Sequence, residues 1–338
     1  LGAPEGGAES SGGDGAAAFV VGTENVIAEV VGSYSETMEH MALWRIPGQR
    51  FPKAWEERFG LTEVFSPLLA NAAQGLLAAT GVKGSDIKAV VVDSPNVRAI
   101  PALGKVLGAA QEAYVDDMSA MVGHTGAAHA PMMLAAALDN AKPGDLLAVS
   151  SASDRGDAAM FKATDAITKH KNEKTVASQV ASKRNELAYS RYLKWRGILE
   201  TEPPRRPDPA RPAGPPSFRR HHWKFGFMGT ECTECGTKHL PPTRVCVKCR
   251  AVDKMKEIPF AHRRGKIITY TQDRLAYTLN PPMVMAMIDF EGGGRVELEV
   301  TDCEPETIHI GQELELTFRR LYTADGVHNY FWKARPVR

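Results

Sequence analysis

The sequence predicts two fold classes in series, an α/β layered domain followed by a small ribbon and an all-β barrel. Three observations carry this expectation. In the first half, helical periodicity alternates with short buried apolar runs, the pattern of helices laid on a sheet. Four of the five cysteines then fall in two Cys-x-x-Cys pairs inside ECTECGTKHLPPTRVCVKC, Glu231 to Cys249. Beyond them lie short strand-like runs separated by turn residues, the signature of a small Greek-key barrel.

The elements follow in order. From Gly15 to Val31 two apolar runs flank Gly-Thr-Glu-Asn, which predicts a hairpin. Phe65 to Gly81 has apolar residues at helical spacing and a terminal glycine. Ile87 to Val92 reads as a buried strand that stops at Asp93-Ser94-Pro95-Asn96, and a second helix is expected over Pro101 to Leu107. Gly123-His124-Thr125-Gly126 precedes a small-residue helix, and Lys142-Pro143-Gly144-Asp145 turns the chain into a strand from Leu146 to Ser150. Thr175 to Glu200 reads as one charged amphipathic helix with Val176, Val180, Leu187, Leu193 and Trp195 among its apolar positions. Glu202 to Pro216 is too proline-rich for helix or sheet and is expected to be an extended connector. The alternation in Trp223-Lys224-Phe225-Gly226-Phe227 favours a half-buried strand over a ligand channel. Strands are then expected at Lys266 to Tyr270, Met283 to Phe290, Arg295 to Val300, Glu313 to Phe318 and Tyr330 to Ala334, with Glu291-Gly-Gly-Gly as a hairpin turn. About five strands suit a barrel of the OB type. Domains are placed at 1–172, 223–258 for the ribbon and 259–338 for the barrel, with 173–222 as helix and linker.

Each cysteine pair sets two thiolates on one tight turn, so Cys232, Cys235, Cys246 and Cys249 can close a tetrahedron around one zinc ion. Gly236 supplies a turn after the first pair. Four thiolates fill the coordination sphere, which makes the zinc structural. A disulfide framework fits poorly, because the one remaining cysteine is Cys303 and no signal peptide is seen; a cytoplasmic location is expected. At 43% hydrophobic and a formal net charge of +1, the chain has the composition of an ordinary two-domain protein. Near-neutral charge argues against nucleic acid as the main partner, despite the local basic cluster Arg219, Arg220, His221, His222 and Lys224. No apolar run is long enough to span a bilayer, so no membrane partner is expected. The chain starts LGAPEGG without methionine and is apolar by Ala16, so an upstream segment is expected.

From about Tyr192 onward the sequence resembles the acyl-CoA-associated family that joins a zinc ribbon to an OB fold. The residues are Tyr192-Leu193-Lys194-Trp195-Arg196-Gly197, the strap Pro203-Pro204-Arg205-Arg206-Pro207, the two knuckles, and Gly265 with Thr269-Tyr270-Thr271. Members accompany thiolases and hydroxymethylglutaryl-CoA synthases. The resemblance implies a bridge that helps bind coenzyme A, with an acyl-CoA as substrate and a hetero-oligomer as the working form. From Gly13 to about Phe161 the sequence is similar to the C-terminal half of the thiolase superfamily, nearest the bacterial and archaeal hydroxymethylglutaryl-CoA synthases. Gly13-Asp14-Gly15-Ala16-Ala17, Asp93-Ser94-Pro95-Asn96, Gly123-His124-Thr125 and Lys142-Pro143-Gly144-Asp145 carry that similarity in order and spacing. It implies an upstream half or a thiolase-fold partner subunit that holds the nucleophilic cysteine.

Departures from the pattern define the candidate site. Asp93 stands where the synthases carry a catalytic histidine, and a carboxylate offers no N–H to an oxyanion unless protonated. His124 stands where synthases usually carry asparagine; near a helix start it can be held neutral and donate to an oxyanion. Asp93 has two readings, proton transfer or helix N-cap, and Asn96 has two, substrate carbonyl ligand or cap. Arg98, Arg205 and Arg206 are candidates for coenzyme A phosphates, against a plainly solvated alternative. His129 reads as structural. Ser151 to Asp157 brings charge where a glycine-rich strand end is expected. Cys303, between Asp302 and Glu304, lacks the electropositive setting of a reactive thiol. Together these point to a component of an acyl-CoA enzyme that makes or breaks a carbon–carbon bond, with a degenerate site and a bridging role. A synthase completed by an upstream cysteine half and a non-catalytic channelling scaffold are the alternatives.

Overall fold

The computed structural model describes residues 2–170, 172, 174–184, 186–202, 207 and 209–337. The chain divides between Leu187 and Ala188 into two compact units. No described helix is long and apolar enough to cross a membrane.

The first unit is built on a four-stranded mixed sheet. Ala28–Thr37 forms one edge, followed by Arg155–Ala163, Leu146–Ala152 and Ile87–Asp93. The last two run parallel, with Val92 opposite Ser150 and Asp93 opposite Ser151. Because side chains alternate across a strand, the apolar run of Ile87–Asp93 feeds both faces. Val90 and Val92 join a core with helix Ser66–Thr80 and helix Ile100–Leu107. Val91 turns the other way and packs with Leu147, Met133 and Ala137, the last two from helix His129–Asn140. Helices therefore cover both faces, as a parallel pair of strands requires. Helix Ser66–Thr80 lies so close to the sheet that a Cβ on Gly156 would come within 2.6 Å of the Leu68 carbonyl oxygen.

Two expectations for this unit are corrected. The residues from Gly13 to Ile27 form no hairpin; they hold no helix or strand, and Phe19, Val20 and Val21 are exposed. Strand Ala28–Thr37 pairs instead with Arg155–Ala163, over a hundred residues away. Local turn chemistry is blind to such a distant partner. The single helix over Thr175 to Glu200 is two, Val176–Ala181 and Tyr189–Trp195. Its apolar stripe is too sparse between Val180 and Leu193 to hold a continuous helix by packing.

The second unit joins a three-stranded ribbon to a closed five-stranded barrel. The ribbon pairs Met228–Cys232 with Lys238–His239 on one side and Met255–Pro259 on the other. The barrel runs Gly265–Asp273, Met283–Phe290, Arg295–Val300, Val327–Pro336 and Glu313–Ala324 around the ring. Closure removes exposed strand edges. Met283–Phe290 and Arg295–Val300 form a hairpin in which Asp289 faces Arg295 across the Gly-rich turn. The barrel interior is apolar, with Ile267, Ile288, Leu314 and Ala334 buried. Residues 223–227 are not a strand: His221–Gly226 is helical, and Phe227 caps it in the left-handed region at φ 47°. Trp223 and Phe227, four apart, share one helical face and stack at 4.9 Å between centroids, which the alternating pattern disguised. Phe227 is fully buried among Phe290, Phe331 and Trp332.

The expected α/β layered unit is thus followed by a cysteine ribbon and a closed five-stranded barrel of the OB type.

Candidate functional site

The site of the first unit gathers at the C-terminal end of strand Ile87–Asp93. Asp93 is the last strand residue, and its Oδ1 lies 2.8 Å from Nε2 of His124. Their side chains are 16% and 37% exposed, so the pair is neither sealed nor freely solvated. The Gly126 N–H points at Nδ1 of His124 at 3.3 Å. Nδ1 is therefore the acceptor, and the ring proton sits on Nε2, facing the carboxylate. Hydrogen bonding to Asp93 raises the His124 pKa above its ordinary range, against the opposing effect of burial. The expectation of a histidine held neutral is reversed in direction, and the nearby carboxylate is the physical reason.

Backbone geometry fixes His124 from its other side. Its N–H donates to the Ser11 carbonyl at 2.8 Å, and the Gly13 N–H donates to the His124 carbonyl at 2.9 Å. These two strands of chain touch because Gly123 has φ 79° and a Cβ there would sit 2.7 Å from Gly12. Beneath His124 lies His129, buried to 3% exposure, with ring centroids 4.7 Å apart and planes inclined by 34°. The Thr125 N–H approaches Nδ1 of His129 at 3.4 Å. Burial lowers the His129 pKa, so the two stacked imidazoles are shifted in opposite directions, His124 upward and His129 downward. Neither the stack nor the Gly126 contact was read from the sequence; two histidines five apart around a Thr-Gly turn were the available signal.

The structure gives each remaining candidate a definite place. Asp93 is not a helix cap, since its carboxylate is turned to His124. Capping falls to Ser94 and Asn96: Ser94 Oγ accepts the Asn96 N–H at 3.2 Å, and Asn96 Oδ1 accepts the Arg98 N–H at 3.1 Å. Asn96 is the N-cap of a short 3-10 turn, Val97–Ala99, and its amide donates to Glu57 Oε1 at 3.4 Å. Arg98 is 73% exposed and faces the same Glu57 at 3.7 Å. Arg205 and Arg206 lie outside the described residues. In Ser151 to Asp157, Arg155 Nε donates to Asp157 Oδ2 at 2.6 Å and Ser35 Oγ donates to Oδ1 at 2.7 Å, so the Asp157 charge is locally satisfied.

Chemically, a carboxylate-backed imidazole is a proton acceptor and donor rather than a neutral oxyanion clamp. The Nε2–H needed for an oxyanion is engaged by Asp93. Nδ1, which meets the Gly126 N–H at the longer distance of 3.3 Å, is the ring atom not engaged by the carboxylate and the one that can exchange a proton with a substrate. Cysteine is absent from the first unit, for all five lie between Cys232 and Cys303.

The second site is the four-cysteine cluster. Sγ atoms of Cys232, Cys235, Cys246 and Cys249 lie within 4.8 Å of one another, with Cys232 to Cys249 at 3.6 Å and Cys235 to Cys246 at 3.5 Å. A tetrahedral zinc with bonds near 2.3 Å separates its sulfurs by about 3.8 Å. The donor set and its spacing fit such an ion. Thr237 lies 3.2 Å from Cys235 Sγ, and that hydrogen bond leads the lowering of this thiol to about 6, toward the thiolate a metal needs. Cys303 stands apart, half-buried against the barrel core.

Comparison with known proteins agrees with this division. The family described as 3-oxoacyl-[acyl-carrier-protein] synthase III C terminal matches residues 77–154, and that described as ChsH2, C-terminal OB-fold domain matches 260–319. A DUF35 domain-containing scaffold protein of Methanocaldococcus jannaschii is 33% identical over 126 residues, 36% of this chain and 89% of that protein. A hydroxymethylglutaryl-CoA synthase of the same organism is 32% identical over 198 residues, covering 58% of this chain. The chain spans 57% of that synthase's length. Among solved structures, 3-oxoacyl-(acyl carrier protein) synthase III from Pseudomonas aeruginosa PAO1 aligns at 16% identity and a TM-score of 0.36, over 40% of this chain and 44% of that one. The chain belongs to the DUF35 domain-containing family through its C-terminal part, which follows a thiolase-like half similar to that of hydroxymethylglutaryl-CoA synthases.

Proposed function

We propose that the chain is one component of a multi-subunit acyl-CoA enzyme that forms or cleaves a carbon–carbon bond beside a thioester. The observation that carries this reading is the Asp93–His124 hydrogen bond at the sheet end of a thiolase-like half that has no cysteine of its own. The thioester-forming thiol comes from a thiolase-fold partner, as an upstream half or a separate subunit, and this half contributes the proton-transfer pair. On this reading Asp93 is a working partner of His124, which its carboxylate meets at 2.8 Å. The ribbon and barrel fasten the partner and help hold coenzyme A, with a structural zinc bound by Cys232, Cys235, Cys246 and Cys249. Arg98, Arg205 and Arg206 remain the candidate contacts for coenzyme A phosphates.

The test is to purify the native assembly under mild conditions, incubate it with acetyl-CoA, and locate the acyl group by mass spectrometry. The reading expects the label on a cysteine outside the five in this chain. Acylation at Cys303, or a purified chain that alone condenses or cleaves acyl-CoA at full rate, would contradict it.

A further inference from the structure

His129 has no place in the chemistry set out above, yet it is the most buried ionisable side chain beside it. Its ring lies under His124 at 4.7 Å. Its Nδ1 faces the Thr125 N–H at 3.4 Å and the Thr125 hydroxyl at 3.5 Å. A backbone N–H aimed at Nδ1 requires a lone pair there, so the proton of the neutral ring lies on Nε2, as in His124. Protonating His129 would set two donors against each other and place two cations in stacked rings.

We propose that His129 is a positioning residue: a neutral imidazole floor that holds the His124 ring with Nε2 toward Asp93 and confines the exchangeable charge to the Asp93–His124 pair. This rests on the reading of that pair as a proton-transfer device. Three ionisable groups act on His129: Asp93 from the strand end, Asp117 from the loop before Gly123, and His124 above it. The two carboxylates favour its charged form, His124 opposes it, and burial is the largest influence and also opposes it. The balance leaves His129 neutral where His124 titrates.

Side-chain nitrogen NMR on the full chain tests this without any substrate. The nitrogen shifts report tautomer and titration midpoint, and His124→Gln assigns the signals. In the wild-type chain the His129 midpoint is expected below that of His124, with Nδ1 unprotonated in both neutral rings. In His129→Ala the His124 midpoint shifts down toward the ordinary imidazole range and its Nδ1 and Nε2 signals report mixed tautomers. His129→Phe, which keeps a flat ring under His124, restores the wild-type curve. Coincident His124 curves in wild type and His129→Ala would overturn the proposal. So would a His129 that titrates above His124 in the wild-type chain, a result that needs no variant to fold. Failure of the parent reading looks different: His124→Gln would turn over like wild type in the native assembly while the wild-type titrations stayed as expected.

Discussion

Nε2 of His124 donates to Oδ1 of Asp93 across 2.8 Å, joining a loop that precedes one helix to the end of a strand 31 residues earlier. The pair bridges two motifs that departed separately from the synthase pattern. Taken together the two motifs set a carboxylate and an imidazole in direct contact.

That bond gives stability a definite pH dependence. The folded-state pKa of His124 is raised above its ordinary 6.5, chiefly by Asp93. The contribution is therefore full below the unfolded value and fades as pH rises through the folded one. Asp93→Asn should cost on the order of 1 kcal/mol at about pH 5.5, discounted because His124 is partly exposed, and less at about pH 9. Urea unfolding of both proteins at the two pH values measures this; an equal cost at both would contradict it.

His129 carries the opposite sign. Burial lowers its pKa, so the folded state resists a proton that the unfolded chain accepts, and stability is lost as pH falls through the unfolded value near 6.5. Replacing it with the uncharged His129→Gln should flatten the acid limb of the stability profile relative to wild type, whatever its effect at neutral pH. A limb of unchanged slope would show that other groups govern it.

Metal removal should act on the second unit. Cys246→Ser, or prolonged chelation, is expected to destabilise the ribbon by several kcal/mol, on the order of what a lost structural zinc costs. Phe227, where the chain enters the ribbon, and Phe260, where it leaves, both pack into the barrel core, so the loss should extend to barrel fluorescence from Trp332. Elemental analysis should return about one zinc per chain. A metal-free wild-type chain of full stability would refute the structural role.

Close packing of helix Ser66–Thr80 on the sheet gives a steric prediction. A methyl group at Gly156 meets the Leu68 carbonyl oxygen at 2.6 Å, and backbone cannot rotate away as a side chain would. Gly156→Ala should cost about 1–3 kcal/mol, read from the denaturant midpoint. Gly214→Ala, with nothing within 4 Å of the added carbon, is the control.

Much of this fold was legible because its signals are local. The run Ile87 to Val92 is a strand buried on both faces, and the hairpin across Gly292 to Gly294 declares itself in three consecutive glycines. The cysteine spacing implies one four-sulfur cluster, and the four Sγ atoms do lie within 4.8 Å of one another. What escaped depends on distance or on competing periodicities. Strand Ala28–Thr37 was assigned a neighbour in sequence and found one at Arg155–Ala163. Trp223 and Phe227 satisfy period two and a helical turn alike, and burial in the aromatic core decides for the helix. In the site, His124 and Asp93 were named from the sequence, but their mutual bond was not, because nothing in either motif encodes the other. Asn96 was open between cap and ligand, and the Arg98 N–H on its Oδ1 gives it the cap.

The central claim is that Asp93 and His124 work as one proton-transfer pair in an acyl-CoA carbon–carbon bond reaction. Its most direct test is the pH–rate profile of the native assembly carrying wild-type chain, Asp93→Asn, His124→Gln, or both changes. The account predicts that each single change lowers turnover by about 10²–10⁴. It also predicts that the double change costs little more than either, and that Asp93→Asn shifts the histidine limb downward in pH. Full turnover in His124→Gln, or losses that multiply in the double variant, would contradict it.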